Sequence, residues 1–255
     1  MEVHHHPEVE KKGFKEYLLE GLMIFLAVMM GFIAENIRES ITEHSRAKEY
    51  AETMVADLSS DTVFMRDYRT YYAVSSKHVD TLMQLLTAGD VKSIPSGKLY
   101  WYGLFGGAFA YFAPNDATFQ QMKSSGTIRY FNKSIAREVA RYDQLCRQMQ
   151  TMEENDRVLY SEVRMLRAKI FEFQYNSQAN DLSHAHDPQN RDWKKINAFL
   201  TSNPPLLTYD KSIFNQYVEL ARSRFMERKV SATDTLLKRN KALIADLKKA
   251  YHIDD

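Results

Sequence analysis

The chain has 255 residues, a formal net charge of +1 and a single cysteine, Cys146. At ~100–200 residues per domain, the length allows one large domain or two small ones. The near-neutral charge does not indicate a nucleic-acid-binding protein, nine glycines and six prolines are too few for an all-β chain rich in tight turns, and one cysteine excludes an intramolecular disulfide.

Residues 1–16 form a polar tail that contains three histidines and a group of lysines. In an extended chain alternate side chains share a face, so His4 and His6 could lie together with Glu2 and offer zinc imidazole and carboxylate ligands. Nothing nearby orients the imidazole rings, as metal sites require. We therefore expect a solvated tail or a docking peptide here, with zinc binding as the alternative.

Residues 17–35 contain an uncharged run from Leu22 to Ala34, and extending it back to Tyr17 adds only Glu20. As a helix, the extended run would span roughly 27 Å, close to the ~30 Å thickness of a bilayer core. It could be a spanning signal-anchor, a cleaved signal peptide or a buried helix of a soluble protein. No small-x-small cleavage site closes the run, so we expect a transmembrane anchor.

The basic residues around the anchor bear on its orientation. Three lysines precede it and three basic residues follow within about fifteen positions, so their number alone does not decide the matter. The lysines lie closer to the apolar segment, as in signal-anchor proteins. We therefore expect the N-terminus in the cytoplasm and the main domain, residues 36–255, on the other side of the membrane.

Two stretches of the sequence resemble a known family. MEVHHH followed by EYLLEGLMIFLAVMMGFIAENIRE, and further on PNDATFQQMKSSGTIRYFNK, are similar to segments of an uncharacterised family of single-pass membrane proteins from Bacteroidota. The resemblance implies a bacterial inner-membrane protein with native histidines. It implies no activity and no catalytic residues.

The anchor also has a face suited to association. Glu20, Ala27, Gly31 and Glu35 fall roughly on one side of a helix, because residues four and seven apart return close to the same angle. Ala27 and Gly31 form a small-xxx-small pair, which lets two helix backbones approach closely in a membrane. Small residues also occur in spans without such a role. We expect the lipid bilayer, and a second copy or another membrane protein, as partners.

After the anchor, residues 36–86 are predicted to form a nearly continuous helix, because neither Gly nor Pro interrupts their helical spacing. The uncharged segment at residues 99–112 then has two interpretations. It is a hairpin or loop packed into the core, or a surface that touches lipid or a partner. In the second case Tyr100, Trp101 and Tyr102 form the interaction patch, since their amphipathic rings suit a membrane interface.

A short helix is predicted next. Asn115 or Asp116 would cap its first turn, and Gly126 would end it in the left-handed conformation. Ser124 and Ser125 have no base in view, so a structural role is expected for this segment.

The longest apolar stripe extends from Ile135 to Phe173 in steps of three and four, with only Asp156 interrupting it. It predicts a helix of about forty residues, roughly 60 Å long. Cys146 lies on the apolar face, so we expect an inert, buried thiol. Arginines and glutamates alternate on this helix, which favours a solvated face over a nucleic-acid-binding stripe.

Residues 176–190 are predicted to form a polar loop that contains His184 and His186. These residues, with neighbouring aspartates, suit a metal such as zinc, but they lack the HExxH spacing of zinc proteases. Residues 209–251 are predicted to be helical, with a possible break at 231–234.

These features predict an all-α protein, in which a transmembrane helix precedes a long-helix antiparallel bundle with coiled-coil-like periodicity. We expect a membrane-anchored sensing, scaffolding or partner-binding component rather than an enzyme, with no cofactor and no nucleic-acid partner. One alternative is a membrane-tethered metal-dependent enzyme that uses His184 and His186. The other is a subunit of a larger membrane complex, in which Glu20 and Glu35 make contacts within the membrane.

Overall fold

The computed structural model describes residues 13–183, 191–224 and 226–254, and the regular structure of these residues is helical. Their α-helices are α1 (Phe14–Ala88), α2 (Ser96–Leu104), α3 (Ala117–Ser125), α4 (Lys133–Ile170), α5 (Phe173–Ser183), α6 (Trp193–Thr201), α7 (Lys211–Ser223) and α8 (Met226–Tyr251). Short 3-10 helices lie at Val91–Ser93, Phe105–Gly107 and Thr127–Tyr130. The all-α prediction is confirmed for the described residues.

Helix α1 is 75 residues long, which corresponds to about 112 Å. It begins after Gly13, whose backbone N–H donates a hydrogen bond of 2.8 Å to the Glu16 carboxylate, and it ends at Gly89. The apolar side chains of its first part are exposed, whereas from Ala47 onwards one face is buried in the core. The predicted helix over 36–86 is therefore continuous with the predicted anchor.

Helix α8 runs antiparallel to α1. The Thr62 hydroxyl donates to Asn240 at 2.9 Å, and further along α1 the Tyr72 hydroxyl accepts from Lys229 at 3.2 Å. Residues further along α1 therefore contact residues that come earlier in α8, as in an antiparallel pair. This pair forms the most extensive helix contact of the described residues.

Helix α4 runs parallel to α1. The Tyr142 hydroxyl donates to Asp61 at 3.1 Å, and further along both helices the Tyr68 hydroxyl donates to Glu153. Two of the three longest helices therefore point the same way, and a uniformly antiparallel bundle is not confirmed. The prediction failed here because apolar spacing defines the buried face of a helix and carries no information on its direction.

The parallel arrangement requires the connection between the two helices to travel back along α1. Near the start of this connection, the backbone N–H of Phe109 donates to the Tyr71 hydroxyl at 3.0 Å. Nearer its end, the backbone N–H and the hydroxyl of Thr118 donate to the Asp57 carboxylate at 3.3 and 2.5 Å. The connection is thus fixed to α1 by side chains that are part of that helix.

The start of helix α3 follows the prediction in part. The Asp116 side chain makes no capping hydrogen bond at the α3 N-terminus. Asn115 accepts the backbone N–H of Ala117 at 3.4 Å, and Asp57 of α1, a residue distant in sequence, accepts that of Thr118. The C-terminal end follows the prediction, because Gly126 adopts the left-handed conformation with φ of +70°.

Three other helix boundaries differ from those predicted. Helix α4 ends at Ile170, because Phe171 leaves the helix to form an isolated antiparallel bridge with Leu206. Helix α5 occupies the first part of the predicted loop at 176–190. The break in the C-terminal region lies between α7 and α8, and the predicted break at 231–234 is helical.

Candidate functional site

The first part of α1 has the properties of a membrane span. Its large apolar side chains from Tyr17 to Ile33 are 43–66% exposed, and they cover all sides of the helix. This is a helix long and apolar enough to cross a membrane, and none of its most apolar window is buried against the rest of the protein. In water this apolar surface would be exposed to unfavourable hydration. In a membrane the hydrocarbon core of the bilayer would cover it.

The predicted association face lies on this exposed part of α1. Ala27, Gly31 and Glu35 are exposed, and Glu20 is half-exposed. A Cβ atom placed on Gly31 would meet no atom within 4 Å, so this side of the helix is open. At the end of the span, Arg38 donates two hydrogen bonds to Glu35, at 2.5 and 2.9 Å. Self-association through this face stays a prediction.

The second interpretation of residues 99–112, an exposed aromatic patch, does not hold for two of its three members. Tyr100 is fully buried and Trp101 is 4% exposed, while Tyr102 is half-buried. They lie in α2, which packs against α1, α5 and α6. The Tyr100 hydroxyl donates to the Pro205 carbonyl at 2.6 Å, and burial raises its pKa to about 12. The segment at 99–112 is therefore mostly core, as the first interpretation expected, although it is helical at its start.

The four predicted metal ligands, His4, His6, His184 and His186, lie outside the described residues. Within residues 13–183, 191–224 and 226–254, no group of three or more His, Cys, Asp and Glu side chains is arranged to hold a metal ion.

A buried charged cluster lies where α4, α8 and the bend between α7 and α8 meet. Arg224, Asp156 and Lys229 are each fully buried. Two guanidinium nitrogens of Arg224 donate to the two Asp156 oxygens at 2.9 and 2.8 Å, and Lys229 donates to Asp156 at 2.6 Å. Since an isolated buried charge is strongly unfavourable, this pairing makes the burial tolerable.

Glu153 completes the cluster and balances its charge at two cations and two carboxylates. Lys229 lies 3.1 Å from one Glu153 oxygen, and the Tyr68 hydroxyl donates to the same oxygen. The other oxygen is buried and has no hydrogen-bond partner in the structure. Burial and the neighbouring Glu153 carboxylate raise the pKa of Tyr68 and Tyr72, so both phenols stay protonated at neutral pH.

The charged cluster holds several parts of the fold in one arrangement. Arg224 also donates to the Gly106 carbonyl at 2.8 Å, and Lys229 reaches the hydroxyl of Tyr72 on α1. The cluster therefore connects α1, α4, α8 and the returning connection. Each cation already has carboxylate and oxygen partners, so the geometry supports a structural role.

A cavity of about 170 Å³ lies between α1, α3, α4 and α8. Its walls combine apolar groups such as Met54 and Leu243 with Asp57, Tyr142 and Cys146. Asp57 already accepts hydrogen bonds from Asn115 and Thr118, so its carboxylate serves the local structure. The cavity could hold a small molecule, but no polar group in it is shown to await one.

Cys146 fits the prediction of an inert thiol. It is 6% exposed, and burial raises its pKa to about 12. The thiolate, which is the reactive form, is therefore scarce at neutral pH.

The charged cluster is the feature that the sequence did not predict. Asp156 interrupts the α4 stripe, which was a signal of a buried carboxylate, but its partners Arg224 and Lys229 lie about seventy residues away. Comparisons with protein-family models, with curated proteins and with solved structures found no match for this chain.

Proposed function

We propose that this chain is a single-pass, membrane-anchored helical protein whose domain serves as a sensing, scaffolding or partner-binding component. The observation that carries the proposal is the continuity of α1. Its exposed apolar part and its core-forming part belong to one helix, without a linker between them. Anchor and domain are therefore mechanically one body, which suits a protein that presents a binding surface at a fixed distance from a membrane.

The helix between anchor and domain acts as a stalk. Residues 35–46 of α1 are largely exposed, and the first buried residue is Ala47. At ~1.5 Å per residue, this stretch holds the domain about 18 Å from the end of the apolar run. Lipid headgroups and a partner on the membrane surface both have room beside it.

The proposed location is the bacterial inner membrane, with the N-terminus in the cytoplasm and the domain in the periplasm. The lysines next to the anchor support this orientation, and the resemblance to single-pass proteins of Bacteroidota supports the inner membrane as the location. A membrane-tethered metal-dependent enzyme that uses His184 and His186 is the alternative, but no described residue favours it.

The anchor is tested by placing two arginines on one side of it. In L26R/M30R, each arginine near the bilayer centre costs about 2.5–3.5 kcal/mol on an insertion scale. The variant should be released from membranes by alkaline carbonate, whereas the wild type should stay in the membrane pellet. V63R/T70R is the matched control, because it adds two arginines at exposed positions of the same helix beyond the anchor.

Two outcomes of the carbonate extraction would contradict the proposed anchor. Release of the wild type by carbonate, or equal retention of wild type and L26R/M30R, would show that this segment does not span. An alkaline phosphatase fused after Asp255 should be active if the domain is periplasmic. An inactive phosphatase together with a bright cytoplasmic fluorescent reporter at the same position would reverse the orientation.

A further inference from the structure

We propose that an arginine–aromatic surface on α4 and the returning connection docks an acidic segment of a partner protein. The surface is formed by Arg157, Tyr111, Phe109, Tyr160 and Arg164. This inference rests on the proposed partner-binding role and gives it a place and a partner chemistry.

The aromatic rings of this surface touch one another in a row. The ring centroid of Phe109 lies 4.9 Å from that of Tyr111 and 4.9 Å from that of Tyr160. Tyr111 is 65% exposed. Because Tyr71 of α1 accepts the backbone N–H of Phe109 at 3.0 Å, the row is fixed to the longest helix.

An arginine stacks at each end of the row. The guanidinium carbon of Arg157 lies 5.6 Å from the Tyr111 ring centroid, and that of Arg164 lies 5.5 Å from the Tyr160 centroid. Both distances are within the range of cation–π contacts. The two arginines are seven positions apart on α4, which separates them by about 10 Å along the helix axis.

These two cations combine a stacked ring with the absence of a carboxylate partner in the described part of the chain, whereas Arg137, which also lacks a carboxylate partner there, has no stacked ring. Nearer the start of α4, Arg141 lies 2.8 Å from Glu138 and Arg147 forms an ion pair with Asp143. Within the described residues, neither Arg157 nor Arg164 lies within 4.0 Å of a carboxylate oxygen. Arg157 and Arg164 are exposed, as the predicted solvated face of α4 requires, and both remain available to a carboxylate from outside the domain.

Because Arg157 and Arg164 have no carboxylate partner in the described domain, the surface favours a partner that supplies carboxylates. A planar guanidinium held on a ring is oriented to bind a carboxylate through two hydrogen bonds, and its position costs little entropy on binding. The two groups are about 10 Å apart along the helix axis, so pairing with both requires several carboxylates spread along one segment. The surface is therefore complementary to an acidic polypeptide segment.

Exposed apolar groups beside the arginines favour a protein over a nucleic acid. Val158 and Met165 are 64% and 62% exposed on the adjoining side of α4. Aromatic residues, Met and Arg are the residue types enriched in protein–protein interfaces, whereas nucleic-acid surfaces carry a more extensive positive field.

The position of the surface excludes the anchoring membrane as its occupant. Tyr71, which holds Phe109, lies about 55 Å along α1 from Ala34 at the end of the apolar run. Headgroups of that membrane are out of reach, and screening at physiological salt removes their field beyond about 8 Å.

The test measures binding of the detergent-solubilised full chain to a fluorescently labelled copolymer of glutamate and tyrosine by fluorescence anisotropy. R157Q/R164Q should weaken binding at least about tenfold, because two interface arginines are lost. Y111A should weaken it as well, since it removes the exposed ring and leaves the charge unchanged. R137Q/R141Q is the matched control: it removes two exposed arginines from the same helix and should bind like the wild type.

Three results would overturn the proposal. They are an absence of copolymer binding by the wild type, an equal loss in R157Q/R164Q and R137Q/R141Q, and tighter binding of a labelled single-stranded DNA through the same arginines. The last would assign the surface to nucleic acid. All variants replace exposed side chains, and their thermal melting should match that of the wild type. Carbonate extraction of the same variants reports on the anchor separately, so failure of docking and failure of anchoring are distinguishable.

Discussion

Replacing Asp156 with Asn should destabilise the domain severely. The carboxylate accepts hydrogen bonds from Arg224 at 2.9 and 2.8 Å and from Lys229 at 2.6 Å. Asn keeps the shape and one acceptor oxygen but removes the charge, which leaves two cations in a fully buried site with Glu153 as their only nearby carboxylate among the described residues. Loss of one partner from a buried ion pair costs about 3–5 kcal/mol.

This cost can be compared with the whole stability of a domain. Native domains are stable by about 5–15 kcal/mol, so D156N would remove a large part of the free energy of unfolding. With a urea dependence of about 3 kcal/mol per molar, the unfolding midpoint should fall by roughly 1 M or more. Fluorescence of Trp101, which is 4% exposed, reports the unfolding of the core in detergent solution.

Two further variants test this explanation of the D156N effect. D234N breaks the exposed pair with Arg69 and should leave the midpoint nearly unchanged, because solvent screens that pair. K229M should be less harmful in an E153Q background, since the double variant removes one charge of each sign. A D156N midpoint as high as that of D234N would refute the view that the charged cluster is a desolvated network.

The remaining predictions concern the anchor and the cysteine. If Ala27 and Gly31 form a packing face, G31L should weaken self-association in crosslinking or light scattering of the detergent-solubilised chain; a monomeric wild type, or an oligomer unchanged by G31L, would exclude that face. Because burial raises the pKa of the Cys146 thiol to about 12, iodoacetamide at pH 8 should modify it only in denaturant. The folded state disfavours the thiolate, so this thiol should lower stability as the pH rises from its ordinary pKa of about 9 towards 12, and C146A should lack that loss. Rapid alkylation of the folded chain would contradict both statements.

Local features of the fold were predictable because they depend on neighbouring residues. The uninterrupted helix after the anchor follows from the absence of Gly and Pro between Phe32 and Ala88, and the left-handed Gly126 follows from its place after a short helix. The contribution of Asp57 to the α3 cap was not predictable, since Asp57 approaches Thr118 only after the connection has turned back along α1. The relative direction of α1 and α4 was missed for the same reason.

The candidate span, the charged cluster and the aromatic residues of α2 also differ in how far the sequence predicts them. The candidate span depends on composition over consecutive residues, so the sequence was sufficient to predict a helix long and apolar enough to cross a membrane. Arg224 and Lys229 are ordinary charged residues in the sequence, and only tertiary packing makes them partners of Asp156. The sequence left open whether Tyr100 and Trp101 lie in the core or at a surface, and the close approach of neighbouring helices buries them. At Gly97, a Cβ atom would lie 1.9 Å from the Phe199 carbonyl oxygen, which shows how tightly α2 meets α6.

Because α1 is unbroken, a change in the tilt of its first part moves the domain at its other end. From Ala34 to Ala88 the helix extends about 81 Å beyond the apolar run. A change of ~10° in the tilt of the span, within the range that bilayer thickness imposes on single helices, would displace the far end sideways by about 14 Å. The arginine–aromatic surface lies on this outer portion, since Tyr71 holds Phe109 there. Small changes in bilayer thickness would thus displace the proposed docking surface, about 55 Å along the helix, by about 10 Å.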